Sequence, residues 1–283
     1  MGEGNNSPIA ELIVEVNAQL SKLYINYAKS IKYLGDLLGR VYGTVVYFEN
    51  PEFVGSEVLL LEMYSALKGT KEDLIKIREQ SEGAIEELDK IMKSIKDLIK
   101  VEDVGKVFPV YQAIKDTVRI LINFIDEAVS IVDSIKDVEE VKKRIIKIED
   151  LHTTRELDAY RIGLRLLSTI SKIRHYQKLM ETTYYSFLSA SSLGMWIVRD
   201  VVMDYIKILK TNMDFVKELE KDVDEINRLV DEFLVELKGT KFEVLLRELK
   251  EKYKKSFDVL RKGVNSYLQE VNRVGYDVGA IKN

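Results

Sequence analysis

Apolar residues recur at every seventh position along most of this chain. In the first segment Ile13, Leu20, Tyr27, Leu34 and Val41 form one column, and Val16, Leu23 and Leu37 form a second three residues on, with Ser30 its only polar intruder. From residue 70, Leu74, Leu88 and Ile95 alternate with Ile77, Ala84, Ile91 and Leu98. From residue 109, Tyr111, Val118, Ile125 and Val132 alternate with Ile114, Leu121, Ala128 and Ile135. Later, Val202, Leu209, Val216, Val223, Val230 and Leu237 pair with Val198, Tyr205, Leu219, Ile226 and Phe233. Seams this regular predict helices packed lengthwise at shallow angles. The last segment instead follows a 3.6-residue spacing through Phe242, Leu246, Leu249, Tyr253, Phe257, Leu260, Val264, Leu268 and Val271. That drift predicts a helix touching more than one neighbour.

The breaks between seams carry their own chemistry. Ser7-Pro8 and Asn50-Pro51 read as N-caps followed by proline in the first helical turn. One phrase occurs twice, Leu67-Lys68-Gly69-Thr70-Lys71 and Leu237-Lys238-Gly239-Thr240-Lys241. In each, glycine suits a left-handed C-cap, and threonine with Asp73 or Glu243 can close a capping box. Both copies are expected to be tight hairpins. Asp137 with Glu140 and Thr153 with Glu156 repeat the capping pattern, and Gly194 marks a further reversal. The resulting map places helices near 8–48, 51–68, 70–101, 109–136, 138–151, 154–190, 195–238 and 240–275. The helix near 195–238 would be roughly 65 Å long, whereas a compact globule of this chain length is about 50 Å across. The expected fold is therefore all-α, an elongated antiparallel helical bundle with coiled-coil-like heptad packing. Residues 8–275 form it, either as one body or as two sub-bundles, 8–136 and 137–275. Residues 1–7 are expected to be a disordered N-terminus and 276–283 a flexible C-terminus.

Composition narrows the function classes. Hydrophobic residues make up 46% and charged residues 32%, with only 3 prolines, which favours amphipathic helices over disorder. A net charge of −4 argues against nucleic acid as the main partner. The absence of cysteine excludes disulfides, thiolate metal sites and cysteine nucleophiles. Met1 to Ser7 is polar and unlike a signal peptide, and no uncharged apolar run reaches the roughly 18 residues of a membrane span. A cytoplasmic location is expected. The bias toward Lys and Glu resembles thermophile composition.

Candidate chemistry is sparse. Glu149 and His152 stand three apart, a spacing that would place them on one helical face, as in carboxylate-bridged metal bundles; the second such pair is missing at His175, where Lys172 occupies the equivalent position. No nucleophile-elbow sequence surrounds a serine, and the glycines are scattered singly, so no phosphate loop is expected. From Thr182 to Val198 there is no charged residue. Burial among several helices is the favoured reading of this stretch. The sharper alternative is a membrane-interface hairpin anchored by Tyr184, Tyr185, Phe187 and Trp196. Acidic residues dominate Asp214 to Glu236 and basic residues dominate Lys250 to Lys262, so the last two helices are expected to pair opposite charges along their flanks. Asn212 interrupts a seam and could fix register or oligomeric state.

These readings point first to a non-enzymatic structural or interaction protein, a scaffold or assembly component binding partner proteins or itself. No cofactor, small-molecule substrate or nucleic-acid partner is expected. The alternatives are a membrane-associating helical protein using the hairpin around 182–198, and a metal-carboxylate bundle enzyme using Glu149 and His152.

Overall fold

The computed structural model describes residues 8–135, 137–191 and 195–277. Among these residues there is no strand, and the fold is all-α. Six long helices follow one another: α1 (Pro8–Glu49), α2 (Glu57–Ser94), α4 (Pro109–Ser134), α6 (Thr154–Ser191), α7 (Met195–Glu236) and α8 (Lys241–Asp277). Two short ones, α3 (Val104–Val107) and α5 (Val138–Lys143), lie in the connections. Residues 1–7 and 278–283 lie outside the described residues, as does the reversal expected at Gly194; α8 runs on to Asp277, two residues into the C-terminus expected from 276 to be flexible.

The helices α1 and α6 are central. They pack on each other more extensively than any other pair; α2 and α4 cover one side, and α7 and α8 cover the other. Ion pairs fix the directions of neighbours. Lys71 meets Asp133 at 2.5 Å, Arg78 meets Asp126 at 2.8 Å and Lys115 meets Asp89 at 2.8 Å, so numbers rise on α2 as they fall on α4. The α1–α6 contact has a different basis. Gly35, Gly39 and Gly43 recur every fourth residue and so share one helical face. A Cβ on Gly39 would lie 2.8 Å from the His175 carbonyl oxygen, and one on Gly43 would lie 2.9 Å from that of Ser171. Backbone rests on backbone here, an approach that only glycine permits.

The predicted seams are half right. In the first columns Leu20, Leu34 and Val41 of α1 and Leu74 and Leu88 of α2 are buried, with Ile13, Tyr27 and Ile95 partly covered; both columns of α4 are buried from Tyr111 to Val132. The partner columns on α1 and α2 are buried only at Leu37. Leu23 is 44% exposed, Ile91 and Leu98 are each 49% exposed, and Ala84 and Ser30 face outward. The α1 core column is instead Tyr24, Ile31 and Leu38. Both columns of α7 are buried from Tyr205 to Leu237 apart from the half-buried Val223 and Phe233; the side chains of Val198 and Val202 lie outside the described residues. On α8 the 3.6-residue stripe is buried from Phe242 to Val271, with Leu268 partly covered, and the helix packs on both α6 and α7.

Three turns differ from expectation. The first Leu-Lys-Gly-Thr-Lys phrase lies inside α2, where Thr70 Oγ1 donates to the Ala66 carbonyl at 3.0 Å and caps nothing. The reason is phase: Leu60, Leu67 and Leu74 stay on one buried column straight through it. Continuous burial outweighs the roughly 1 kcal/mol cost of a helical glycine. The second copy does turn, with Gly239 at φ +82°, Glu243 N donating to Thr240 Oγ1 at 3.3 Å and Gly239 N donating to Glu243 Oε2 at 2.7 Å. Asn50 is not an N-cap. Its Nδ2 donates to the Val46 carbonyl at 2.8 Å, Pro51–Phe53 form a 3-10 turn, and Ser56 caps α2 by accepting from Leu59 N at 3.1 Å. The helix expected over 138–151 stops at Lys143, and Ile148–Asp150 form a 3-10 turn, as Val101–Asp103 do earlier.

Candidate functional site: the Lys178 cleft

An open cleft of about 850 Å³ lies where α1, α4 and α6 meet near the start of α5. Val45, Phe48 and Ile131 give it apolar walls, while Glu49, Glu127, Arg174, Lys178 and Glu181 bring charge. At its floor is Lys178, whose side chain is only 8% exposed. The ammonium is 2.9 Å from Glu181 and 3.3 Å from Glu127. It also stands 4.3 Å above the Tyr42 ring and 4.8 Å above that of Phe124. A buried charge persists only when compensated, and here two carboxylates and two aromatic faces do it. Burial drives the Tyr42 phenol well above its ordinary range, and the Glu127 carboxylate beside it adds to the rise. At the rim Arg174 meets Glu49 at 2.9 Å.

The cations of this cleft are thus bonded to its own carboxylates. Lys178 links α6 to α4 through Glu127, and Arg174 links α6 to α1 through Glu49. Sequence reading missed Lys178, because nothing in its neighbours distinguishes it from a solvated lysine. The signal available was its position one turn before Thr182, on the side of α6 that leads into the uncharged stretch.

The predicted site residues are scattered by comparison. Glu149 falls in the 3-10 turn and His152 in the exposed strand of chain after it, so the shared helical face assumed for them does not exist. Glu156 accepts from the backbone N–H groups of His152 and Thr153 at 3.0 and 3.1 Å, which holds its carboxyl below the usual range. Among the described residues no three His, Cys, Asp or Glu side chains cluster as a metal site would require. His175 is half-buried against the α1 glycines, 3.4 Å from Asp36; burial pushes its imidazole pKa down, partly offset by that carboxylate.

In the uncharged stretch, Phe187 is fully buried. Tyr184 is half-buried and stacks on Tyr267 with ring centroids 4.2 Å apart. Tyr185, 39% exposed, touches Tyr184 and lies 5.7 Å from Phe124. The side chain of Trp196 lies outside the described residues. Thr182, Thr183 and Ser186 donate to carbonyls one turn back at 2.7–2.9 Å, which lets hydroxyls be buried without outside partners. Among the described residues no helix is long and apolar enough to cross a membrane. Asn212, distant from these groups on α7, is buried, and its Nδ2 has no hydrogen-bond partner among the described residues.

Beyond the cleft, a layer of hydroxyls runs through the core. Thr117 and Ser189 bond each other beside Tyr24, Ser81 lies beside Tyr27, and Ser186 lies beside Tyr205. Burial pushes Tyr24 up to about 12, a rise that the neighbouring hydroxyls reduce. No protein-family profile, curated protein or solved structure matches this chain.

Proposed function

We propose that this chain is a non-enzymatic structural or interaction protein, an elongated antiparallel helical bundle with coiled-coil-like packing whose outer faces bind partner proteins or further copies of itself. The observation that carries this reading is the exposure of apolar residues at heptad positions, Leu23, Ile91 and Leu98, which a self-contained chain would gain by burying. The Lys178 cleft supports it from the other direction. Its ammonium and guanidinium groups are committed to tying α6 to its neighbours, so the chemistry there is structural.

Light scattering combined with small-angle X-ray scattering tests the reading. An extended particle, with copies associating or a partner recovered by affinity capture from the native source, is the expected result. A compact monomer from which no partner is recovered would overturn it.

A further inference from the structure

The outer face of α2 is open and charged. Its principal packing partners are α4 and α1, which leaves a long side open. Along that side acid gives way to base, with Lys76, paired to Asp73, and Asp97 as the two exceptions. Glu72, Glu79, Glu86 and Glu87 are exposed in its middle; Lys90, Lys93, Lys96 and Lys100 are exposed at its end and in the turn that follows. Among the described residues none of these eight makes an ion pair, although Arg78, Asp89 and Lys71 on the same helix pair with α4. Next to the reversal lie Ala84, outward-facing, and Ile91 and Leu98, each half exposed. Between them is Gly83, a helical glycine with nothing within 4 Å of where its Cβ would be, so no contact inside the chain accounts for it.

We infer that this face docks against the same face of a second copy of the chain, the two α2 helices running antiparallel. Reversed charge on one helix is self-complementary under a two-fold axis, the commonest symmetry of soluble oligomers. With the axis near Leu88, Glu86 and Glu87 of one copy come within a turn of Lys93 and Lys90 of the partner subunit; farther out Glu79 faces both Lys96 of the partner subunit and Asp97 of the partner subunit, so the central residues decide the pairing. The same operation lays Ala84 near Ile91 of the partner subunit, while Gly83 lets the helices approach closely. A parallel arrangement would set acid against acid and lysine against lysine. Exposed ion pairs contribute about 0–1 kcal/mol each and are screened by salt. The dimer is therefore salt-sensitive, with Ile91 and Leu98 supplying the apolar part.

This pairing rests on the interaction-protein reading and names one surface for it. The test is sedimentation velocity at low and high salt on the full chain and two variants, E86K/E87K and K90E/K93E, with circular dichroism showing that helix content is kept. Wild type is expected to shift from dimer to monomer as salt rises. Each variant alone places like charges across the axis and is expected to stay monomeric. An equimolar mixture sets an all-positive segment against an all-negative one, and dimer is expected to return. If both variants associate as wild type does, the surface is elsewhere, and the α2 pairing falls while the broader reading stands. A wild type that is monomeric at every salt concentration also overturns the pairing, and partner capture then decides the broader reading separately.

Discussion

One five-residue phrase has two conformations in this molecule, and single substitutions can read the difference. At Gly69 the backbone is helical and the space around it is open, so Gly69→Ala is expected to stabilise the fold by about 0.5–1 kcal/mol. At Gly239 the φ of +82° is one that a side chain resists, so Gly239→Ala is expected to cost about 1–2 kcal/mol. Urea midpoints of the two variants should move in opposite directions; movement the same way would mean the two phrases do not differ as described. The information that separates them was present in the chain. Leu60, Leu67 and Leu74 hold their phase across the first copy, whereas past the second, seven residues beyond Leu237, Val244 is 57% exposed and Phe242 and Leu246 have taken over burial. Turn residues were read locally, but the continuity of the column decides. At Gly39 neither facing backbone can yield, so Gly39→Ala is expected to lose about 1–3 kcal/mol by the same measurement, and an unchanged midpoint would show that α1 and α6 are not in backbone contact.

At the scale of elements, helix existence was legible and helix facing was not. A heptad column marks a face that could be buried, but on an outer helix such as α2 only the side toward its neighbours is used. That is why Leu88 is buried while Ile91, three residues on, is not. The expected pairing of charges between α7 and α8 is likewise partial. Lys250 meets Asp231 at 2.6 Å, but Lys252 reaches Asn50 at 2.5 Å instead, because that face of α8 lies toward the end of α1. The short helix α5 fell short of its predicted length since Ile145 and Ile146 leave its register, Ile146 N donating to the Glu52 carbonyl at 3.3 Å. Lys178 shows what joins the elements. Lys178→Ala removes a charged contact to α4 and a stem lying over two rings, and is expected to lower stability by about 1–3 kcal/mol. Lys178→Met keeps much of the stem packing and should lose less. Equal, wild-type midpoints for both would remove Lys178 from the joint.

Across the whole molecule, tyrosines set the alkaline limit. Burial raises the phenols of Tyr24, Tyr27 and Tyr205, which meet in the hydroxyl layer, above their ordinary value near 10. A raised folded-state value means the neutral form is favoured in the fold. The associated stability is complete below about 10 and is lost as pH climbs through the folded-state values, about 12 for Tyr24. Alkaline unfolding should therefore be cooperative, with the tyrosinate absorbance of these residues appearing only as helix content falls. Titration of all tyrosines near pH 10 with helix content intact would contradict it. On the acid side Glu156 and Glu243 run the other way. Backbone N–H groups hold their carboxyls low, so their contribution exists above the ordinary carboxylate range and disappears as pH falls through the depressed values.

The spacing of Gly35, Gly39 and Gly43 also makes the central joint a notched one. If α1 screwed along α6 by one to three residues, turning as it moved, Asp36, Leu37 or Leu38 would come to a glycine's place and drive a side chain into a neighbour that has no room for it. A shift of four would drop each of two glycines into a neighbour's seat, about 6 Å away. The step that keeps glycine at both carbonyl contacts is a full tooth, with Gly35 and Gly39 taking the places of Gly39 and Gly43.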